Sequence, residues 1–350
     1  MASLPSPQIP QINTLYFYLT EGCNLACRHC WLAPKHETAG NKYPTLPVEL
    51  FEKAISEAKP LGLTGVKLTG GEPLMHPQIV SLLEIIRREN LRLTIETNGL
   101  LCSPEIAAEI AKSPNRFVSV SIDGADAATH EWVRGVPGAF ESARQAVINL
   151  VTAGIKPQII LTVLRANVGQ IDAMVPLAES LGAESIKFNI VQPTARGEKL
   201  HESNDVPDIA ELIELGRHVE MQLATKTKLR LFYSHPPAFR ALSRINSGGG
   251  GICGIFGIMG VLSSGVYALC GIGEQVSDLV FGTIGKDPLE KIWREHPVLN
   301  TLREGLPARL EGICGRCLMK QRCLGSCVAQ NYYSSGNLLA PFWFCRQADE

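Results

Sequence analysis

Three cysteines fall within the run Glu21-Gly22-Cys23-Asn24-Leu25-Ala26-Cys27-Arg28-His29-Cys30-Trp31, a CxxxCxxC spacing placed directly behind the apolar stretch 15–19. Three thiols this close cannot all pair as disulfides, and three is one short of a closed tetrahedral zinc site. Thiolates do suit an iron–sulfur cluster, in which each cysteine holds one iron. A four-iron cube on three cysteines keeps one iron without a protein ligand and therefore open to chemistry. Whatever fold forms must hold this loop at the end of a strand.

The 350 residues are enough for one large domain and a small one, and 45% hydrophobic content supports a sizeable core. A net charge of −1 gives no electrostatic reason to expect nucleic acid or an anionic membrane as partner. Residues 1–10 lack the positive flank and apolar run of a signal peptide, and no apolar stretch is long enough to span a bilayer. A cytoplasmic protein is expected. Of the 11 cysteines, ten fall into two groups. In a reducing compartment such clustering points to metal or catalysis more than to disulfides. Cys102 stands alone and reads as a small buried hydrophobe.

Strand-like and helix-like patterns alternate along the first two thirds. Strands are predicted at 14–19, 65–69, 91–96, 117–121, 158–164 and 185–190, with helices at 47–59, 77–89, 104–111, 139–153 and 168–181. This alternation implies βαβ units, a parallel sheet and an α/β fold with six units, barrel-like or open. In such sheets chemistry gathers at the C-terminal strand ends. There the sequence places the cysteine run, then Gly70-Gly71-Glu72-Pro73, Thr97-Asn98-Gly99, Ser121-Ile122-Asp123-Gly124, Arg165 with Asn167, and Gln192-Pro193. A helix at 208–226 and a β-like run at 228–233 follow. Ser247 and Gly248 to Gly251 read as a flexible junction. The pattern then changes to a Gly- and Cys-rich region with a hairpin at 260–270 and a short helix at 288–295. The expected division is a flexible N-terminus (1–12), a barrel (13–235), a linker (236–251) and a small metal-dependent domain (252–350).

On the rim, glycines at 70 and 71 would let backbone approach a ligand closely. Strand-end carbonyls could accept from an ammonium group, and Asn98, Ser121 and Asp123 could hold hydroxyls and a carboxylate. Each motif taken alone also reads as ordinary turn chemistry. Their shared rim with the cysteine run favours a ligand site.

Taken together, these residues closely resemble the radical S-adenosylmethionine (SAM) enzymes. Cys23, Cys27 and Cys30 match the family's cluster motif, with His29 at its usual aromatic position. Gly70, Gly71, Glu72 and Pro73 match its GGEP motif, which binds the SAM amino group. Asn98 falls on the same rim. Ser121 and Asp123 match a strand that helps hold SAM, and Arg134 resembles an arginine that contacts its carboxylate. The resemblance implies a partial (β/α)6 TIM-like barrel. It also implies a reaction in which the cluster cleaves SAM to a 5′-deoxyadenosyl radical that takes a hydrogen atom from substrate.

The second group comprises Cys253, Cys270, Cys314, Cys317, Cys323, Cys327 and Cys345. Cys314, Cys317, Cys323 and Cys327 could make one zinc knuckle unaided, which would leave three cysteines unexplained. All seven positions are similar to the SPASM extension of certain radical SAM enzymes. That resemblance implies two auxiliary 4Fe–4S clusters, three clusters in all. Cys253, Cys270 and Cys327 would serve the first, and Cys314, Cys317, Cys323 and Cys345 the second. Sulfatase-maturing relatives carry one more cysteine between the first two positions, so the first auxiliary cluster here is expected to have an open iron. They also place an Asp just after the position of Cys270, where this chain has Gly271-Ile272.

The class implied is a peptide maturase that installs a thioether or carbon–carbon crosslink in a ribosomally made precursor, similar to the SynChlorMet cassette maturases. The alternatives are oxidation of a non-peptide such as a tetrapyrrole side chain, anaerobic sulfatase-type maturation and a non-catalytic metal scaffold. Residues 1–13 are shorter than the roughly 50 residues a leader-binding domain needs. A separate recognition protein, or leader contact with the rim, is therefore expected, as is a flavodoxin or ferredoxin electron donor. No acid or base is assigned; Tyr267, Glu274, His235 and Arg165 are rim or hairpin candidates with a structural role favoured.

Overall fold

The computed structural model describes residues 9–38, 40–246 and 253–349. The glycine-rich junction lies outside the described residues, as does most of the N-terminal segment. The barrel is built from β1 (Thr14–Tyr18), β2 (Gly65–Thr69), β3 (Arg92–Thr97), β4 (Arg116–Ser121), β5 (Gln158–Val163), β6 (Ser185–Ile190) and β7 (Arg230–Tyr233). These seven pair in chain order and all in parallel. The six expected strands form, and the run at 228–233 adds a seventh. Strand β1 is not an edge: β8 (Ile258–Val261) lies parallel to it on its other side. Strands β9 (Val266–Ala268) and β10 (Val280–Thr283) continue antiparallel. One ten-stranded sheet thus runs through the barrel and the cysteine-rich hairpin. Beta-8 thereby covers the unpaired N–H and C=O groups that an open β1 would present to solvent.

The strand pattern explains why the sheet curls around helices. Leu15, Phe17 and Leu19 are fully buried outward, as are Val66 and Leu68, Leu93 and Ile95, and Ile186 and Phe188. They meet the apolar stripes of α1 (Val48–Ala58), α2 (Ile79–Arg88), α3 (Pro104–Ala111), α5 (Ala139–Thr152) and α6 (Met174–Leu181), with α4 (Ala127–Arg134) on the rim. At the centre Phe17 packs on Phe51 of α1 with ring centroids 4.2 Å apart. The alternate, inward positions are polar instead: Lys67, Thr94, Glu96, Thr162, Lys187 and Asn189. A closed barrel fills this space with layers of branched apolar side chains. Here the lumen is left for something other than packing.

Several helices depart from the sequence pattern. The segment 168–181 is helical only from Met174, because Pro176 has no N–H to extend the ladder backward and fits only in a first turn. The predicted helix 208–226 splits into α8 (Ile209–Arg217), a wide π turn at His218–Gln222 and a 3-10 turn at Leu223–Thr225. The wide turn brings both Val219 and Glu220 inward, where Glu220 meets buried His235 at 3.3 Å. Helix α4 was not foreseen, although both ends are marked: the Asp126 side chain accepts from Thr129 N, and Gly135 closes the helix at φ 75°. Helix α7 (Arg196–Glu202) follows β6. No helix among the described residues is long and apolar enough to cross a membrane.

Phe17→Ala should cost about 3–5 kcal/mol, as expected for an aromatic deleted from a closed core. Urea denaturation of the protein would read this as a lowered midpoint. A loss under about 1 kcal/mol would mean that the β1–α1 contact is not central to the core.

Candidate active site

The loop that carries Cys23, Cys27 and Cys30 leaves the C-terminal end of β1 and is tied down along its length. Its two ends pair as a short parallel bridge, Gly22–Cys23 with Lys35–His36. In the middle, Ala26 N and Arg28 N donate to Arg134 O and Val133 O at the end of α4 (3.1 and 2.9 Å). Arg196 of α7 reaches across and donates to Cys27 O (3.1 Å) and Pro34 O (2.6 Å). Cys23 and Cys27 are buried, and Cys30 is half-buried.

Two of the three sulfurs receive a donor. Asn98 Nδ2 lies 3.8 Å from Cys23 Sγ, and Arg134 Nη1 lies 3.5 Å from Cys27 Sγ. Burial pushes the Cys23 and Cys30 thiols up. With the Cys23 and Cys30 thiols held up in this way, loading with iron would release protons. Three convergent thiols with N–H donors and arginines around them fit a thiolate-held cluster.

The loop after β2 is shaped by close backbone approach. Gly70 adopts φ 124°, and a Cβ on Gly71 would stand 1.8 Å from Gly22 O. Gly71 N donates to Thr20 O and Glu72 N to Gly22 O, so the loop lies directly on the start of the cysteine run. The Glu72 carboxylate turns inward and is fully engaged. It accepts from Leu74 N (3.1 Å), Thr97 Oγ1 (2.6 Å) and Asn98 N (2.8 Å). Burial outweighs these donors and raises its carboxyl to about 7. Glu72 and buried Pro73 therefore fix the loop, while the backbone of Gly70 and Gly71 borders a 250 Å³ cavity shared with Tyr18, Thr20 and Glu274.

Asp123, fully buried at the end of β4, joins three elements. Its Oδ2 meets His29 Nε2 at 2.9 Å and Arg134 Nε at 2.6 Å, and its Oδ1 accepts from Thr162 N at 2.7 Å. Burial alone would raise its carboxyl, but Arg134 and His29 hold it well below the usual carboxylate range. Asp123 thus fastens the cysteine loop, through His29, to the barrel and to α4. Ser121 sits half-buried two residues earlier and makes none of these hydrogen bonds.

The C-terminal cysteines separate into two places. Cys314, Cys317, Cys323 and Cys345 line one apolar cavity of 240 Å³. Backbone donors reach two of these sulfurs: Met319 N to Cys317 (3.3 Å) and Phe342 N to Cys314 (3.5 Å). The Cys345 thiol donates to Cys314 and is held up by that bond. Cys270 lies in the electrostatic field of Cys327 and Cys253, across the lumen from Lys67. The hairpin that carries Cys270 abuts the first loop through Tyr18, Leu32, Ala268 and Cys30.

Between the two cysteine regions lies a cavity of 310 Å³. It is bordered by His29 and Trp31 on one side, Cys253, Cys323 and Cys327 on the other, and Thr162, Lys187 and Asn189 on the barrel wall. Sequence reading missed that wall. Lys67 pairs with Glu96 at 2.7 Å and lies over the Tyr16 ring at 4.9 Å, with Lys187 close enough to feel both charges. The available signal was a charged residue at the inward position of an otherwise buried strand, as in Gly65–Thr69 or Ser185–Ile190.

Of the four acid/base candidates, His235 borders this cavity but is engaged by Glu220, and Glu274 borders the smaller one. Arg165 pairs with Glu211 at 2.8 Å on the surface. Tyr267 donates to Glu57 at 3.1 Å on the helix side of the sheet, away from the lumen.

Residues 17–175 match the radical SAM superfamily. The chain is 32% identical to the AdoMet-dependent heme synthase of Methanosarcina barkeri over 342 residues, 93% of this chain and 94% of that protein. It is 29% identical to the mycofactocin maturase MftC of Mycobacterium ulcerans over 343 residues, 95% of this chain and 87% of that one. Streptococcus suis SuiB, solved with its precursor peptide SuiA, superposes with a TM-score of 0.76 at 18% identity, over 97% of this chain and 76% of SuiB, and so shares its fold. The cysteine loop at the end of β1, the glycine loop laid against it, the match of residues 17–175 and 32% identity along nearly the whole chain to an AdoMet-dependent enzyme lead to one conclusion: the chain belongs to the radical SAM superfamily, enzymes that use S-adenosylmethionine and a four-iron cluster.

Proposed function

We propose that this chain is a peptide maturase with a SPASM-type C-terminal region, acting in the cytoplasm on a ribosomally made precursor and installing a crosslink. The observation that carries this reading is the cavity between the two cysteine regions. It lies along the rim with His29 and Trp31 of the first cysteine loop on one side and Cys253 and Cys327 on the other, so a side chain of a peptide laid across the rim would reach both cysteine regions. The likeness to the maturase MftC supports it. Sulfatase-type oxidation is disfavoured, because a side chain at Gly271 would meet the Tyr18 ring at 2.3 Å, leaving no place for a carboxylate after Cys270. The second reading, a tetrapyrrole substrate, is supported by the 32% identity to a heme synthase.

In this proposal Cys23, Cys27 and Cys30 hold the SAM-binding cluster. Cys253, Cys270 and Cys327 hold the first auxiliary cluster, and Cys314, Cys317, Cys323 and Cys345 the second. When bound, the SAM-binding cluster on Cys23, Cys27 and Cys30 would supply the electron for cleavage of the SAM sulfonium C–S bond, and the resulting 5′-deoxyadenosyl radical would take a hydrogen atom from substrate. The protein's part is placement and exclusion of water. The Gly70–Gly71 backbone, Asn98, Ser121 and Arg134 would contact SAM beside the cysteine loop. Glu72 and Asp123 act as positioning residues. The barrel (13–235) and the region 252–350 divide these roles, an electron donor such as flavodoxin or ferredoxin serves the clusters, and a separate recognition protein or the rim receives the leader.

Anaerobic reconstitution should yield about twelve irons per chain, three cubes of four. Replacing Cys314 and Cys317 together should remove about four of them, and Cys23→Ala should abolish reductive SAM cleavage. About four irons in the wild type would remove both auxiliary clusters. Mass spectrometry after incubation with short peptides translated from the reading frames flanking this gene, and in parallel with an iron tetrapyrrole, separates the two substrate readings. A mass change on the tetrapyrrole alone overturns the first.

Because Glu72 binds its proton more tightly folded (about 7) than unfolded (near 4.5), its contribution to stability falls as pH rises between these values. Glu72→Gln should remove that decline from the urea-unfolding profile. The variant should also cost about 1–3 kcal/mol near pH 7, since an amide sets a donor against one of three donors. An unchanged pH profile would show that Glu72 does not titrate in this range.

A further inference from the structure

We propose that Lys187 binds a carboxylate of the substrate inside the barrel. This rests on the reading that the 310 Å³ cavity receives substrate. The lumen wall of β2, β3 and β6 carries three charges: Lys67, Glu96 and Lys187. Two of them satisfy each other, with Lys67 Nζ at 2.7 Å from Glu96 Oε1 and the Tyr16 ring beneath it. Lys187 is left over. It lines the cavity and makes no hydrogen bond or ion pair among the described residues. Burial lowers its ammonium from the ordinary range, and Lys67 adds to that, against the pull of Glu96. A cation in such a place lowers the stability of the folded chain unless something anionic completes it.

The surroundings indicate which anion. Arg240 also lines the cavity but donates to Tyr233 O and faces Glu220, so the Lys187 ammonium is the cation left to match one negative charge, as on a carboxylate; a phosphate dianion is ordinarily met by arginine forks or several donors. Asn189, two residues along β6 and on the same wall, has its Oδ1 taken by Ser234 Oγ at 3.0 Å, which leaves its amide N–H groups to donate. Thr162 of β5 lines the cavity beside them, and Thr162 N already fixes Asp123 behind it. A carboxylate held by Lys187 and Asn189 would place the atoms attached to it between His29 and the Cys253–Cys327 side of the cavity. An acidic side chain or C-terminus of a peptide, or a propionate of a tetrapyrrole, carries the same group.

The test uses reconstituted holoenzyme as wild type, Lys187→Gln and Lys187→Arg. The probes are short peptides translated from the reading frames flanking the gene, with each acidic residue changed singly to its amide and with an amidated C-terminus, and an iron tetrapyrrole with free or methyl-esterified propionates. Wild type should bind one carboxylate form about tenfold or more tighter than its neutral counterpart. Lys187→Gln should bind the two alike, and Lys187→Arg should restore most of the difference. Which probe family shows the effect identifies the source of the carboxylate. Discrimination that survives in Lys187→Gln overturns the inference and leaves the proposed function standing, as does wild-type binding without any carboxylate preference. Binding of no probe by wild type overturns both. As an independent readout, Lys187→Met should leave the urea midpoint of the substrate-free holoenzyme unchanged or raised; a lowered midpoint would mark Lys187 as a structural residue and overturn the assignment.

Discussion

A buried carboxylate holds the active-site end of this barrel together. Asp123 is removed from water at the end of β4, where an unpaired charge would be ruinous, and every neighbour answers it: His29 from the cysteine loop, Arg134 from α4 and Thr162 N from β5. The three partners come from different segments of the chain, so the loop's position depends on the sheet having formed and curled. Arg134 then turns its remaining edge to Cys27, and the end of its helix supplies two carbonyls to the loop backbone. One ion-paired carboxylate therefore sets the orientation of a sulfur, a guanidinium and a loop at once.

The neighbouring Glu72 illustrates the same strategy with a neutral–ionised balance closer to the edge. Its oxygens gather Leu74 N, Asn98 N and the Thr97 hydroxyl, so the loops after β2 and β3 are tied together. Asn98 in turn reaches Cys23. Both carboxylates that sequence reading placed against SAM spend their oxygens on protein donors and act on the site through the loops they fix. The glycines beside Glu72 are required for a steric reason: the backbone of residues 18–22 occupies the space a side chain would need.

Local signals made much of this legible. The CxxxCxxC spacing, the Gly-Gly-Glu-Pro run and the paired C-terminal cysteines are short-range patterns, and the strand–helix period foretold the parallel sheet. What escaped was long-range. That β8 would pair with β1 depends on a contact across more than half the chain, which no local period encodes. Helix α4 was overlooked although Asp126 and Gly135 mark its ends, because its short, mixed face carries little apolar rhythm. Lys67, Glu96 and Lys187 were passed over because alternation was read for its apolar members alone.

Those inward charges also explain why the barrel can be open and still stable. The apolar members of each strand face the helices, so the core lies between sheet and helices rather than in the lumen. With stability secured outside, the inner wall is free to carry polar groups that contribute little to folding. Beta-8 completes the arrangement: by hydrogen-bonding β1 it covers the sheet edge, and it brings the hairpin with Cys270 against Tyr18 and the Cys30 end of the first loop. The pairing that satisfies a backbone edge is thus the one that sets the two cysteine regions on either side of a single cavity, with the lumen lysine between them.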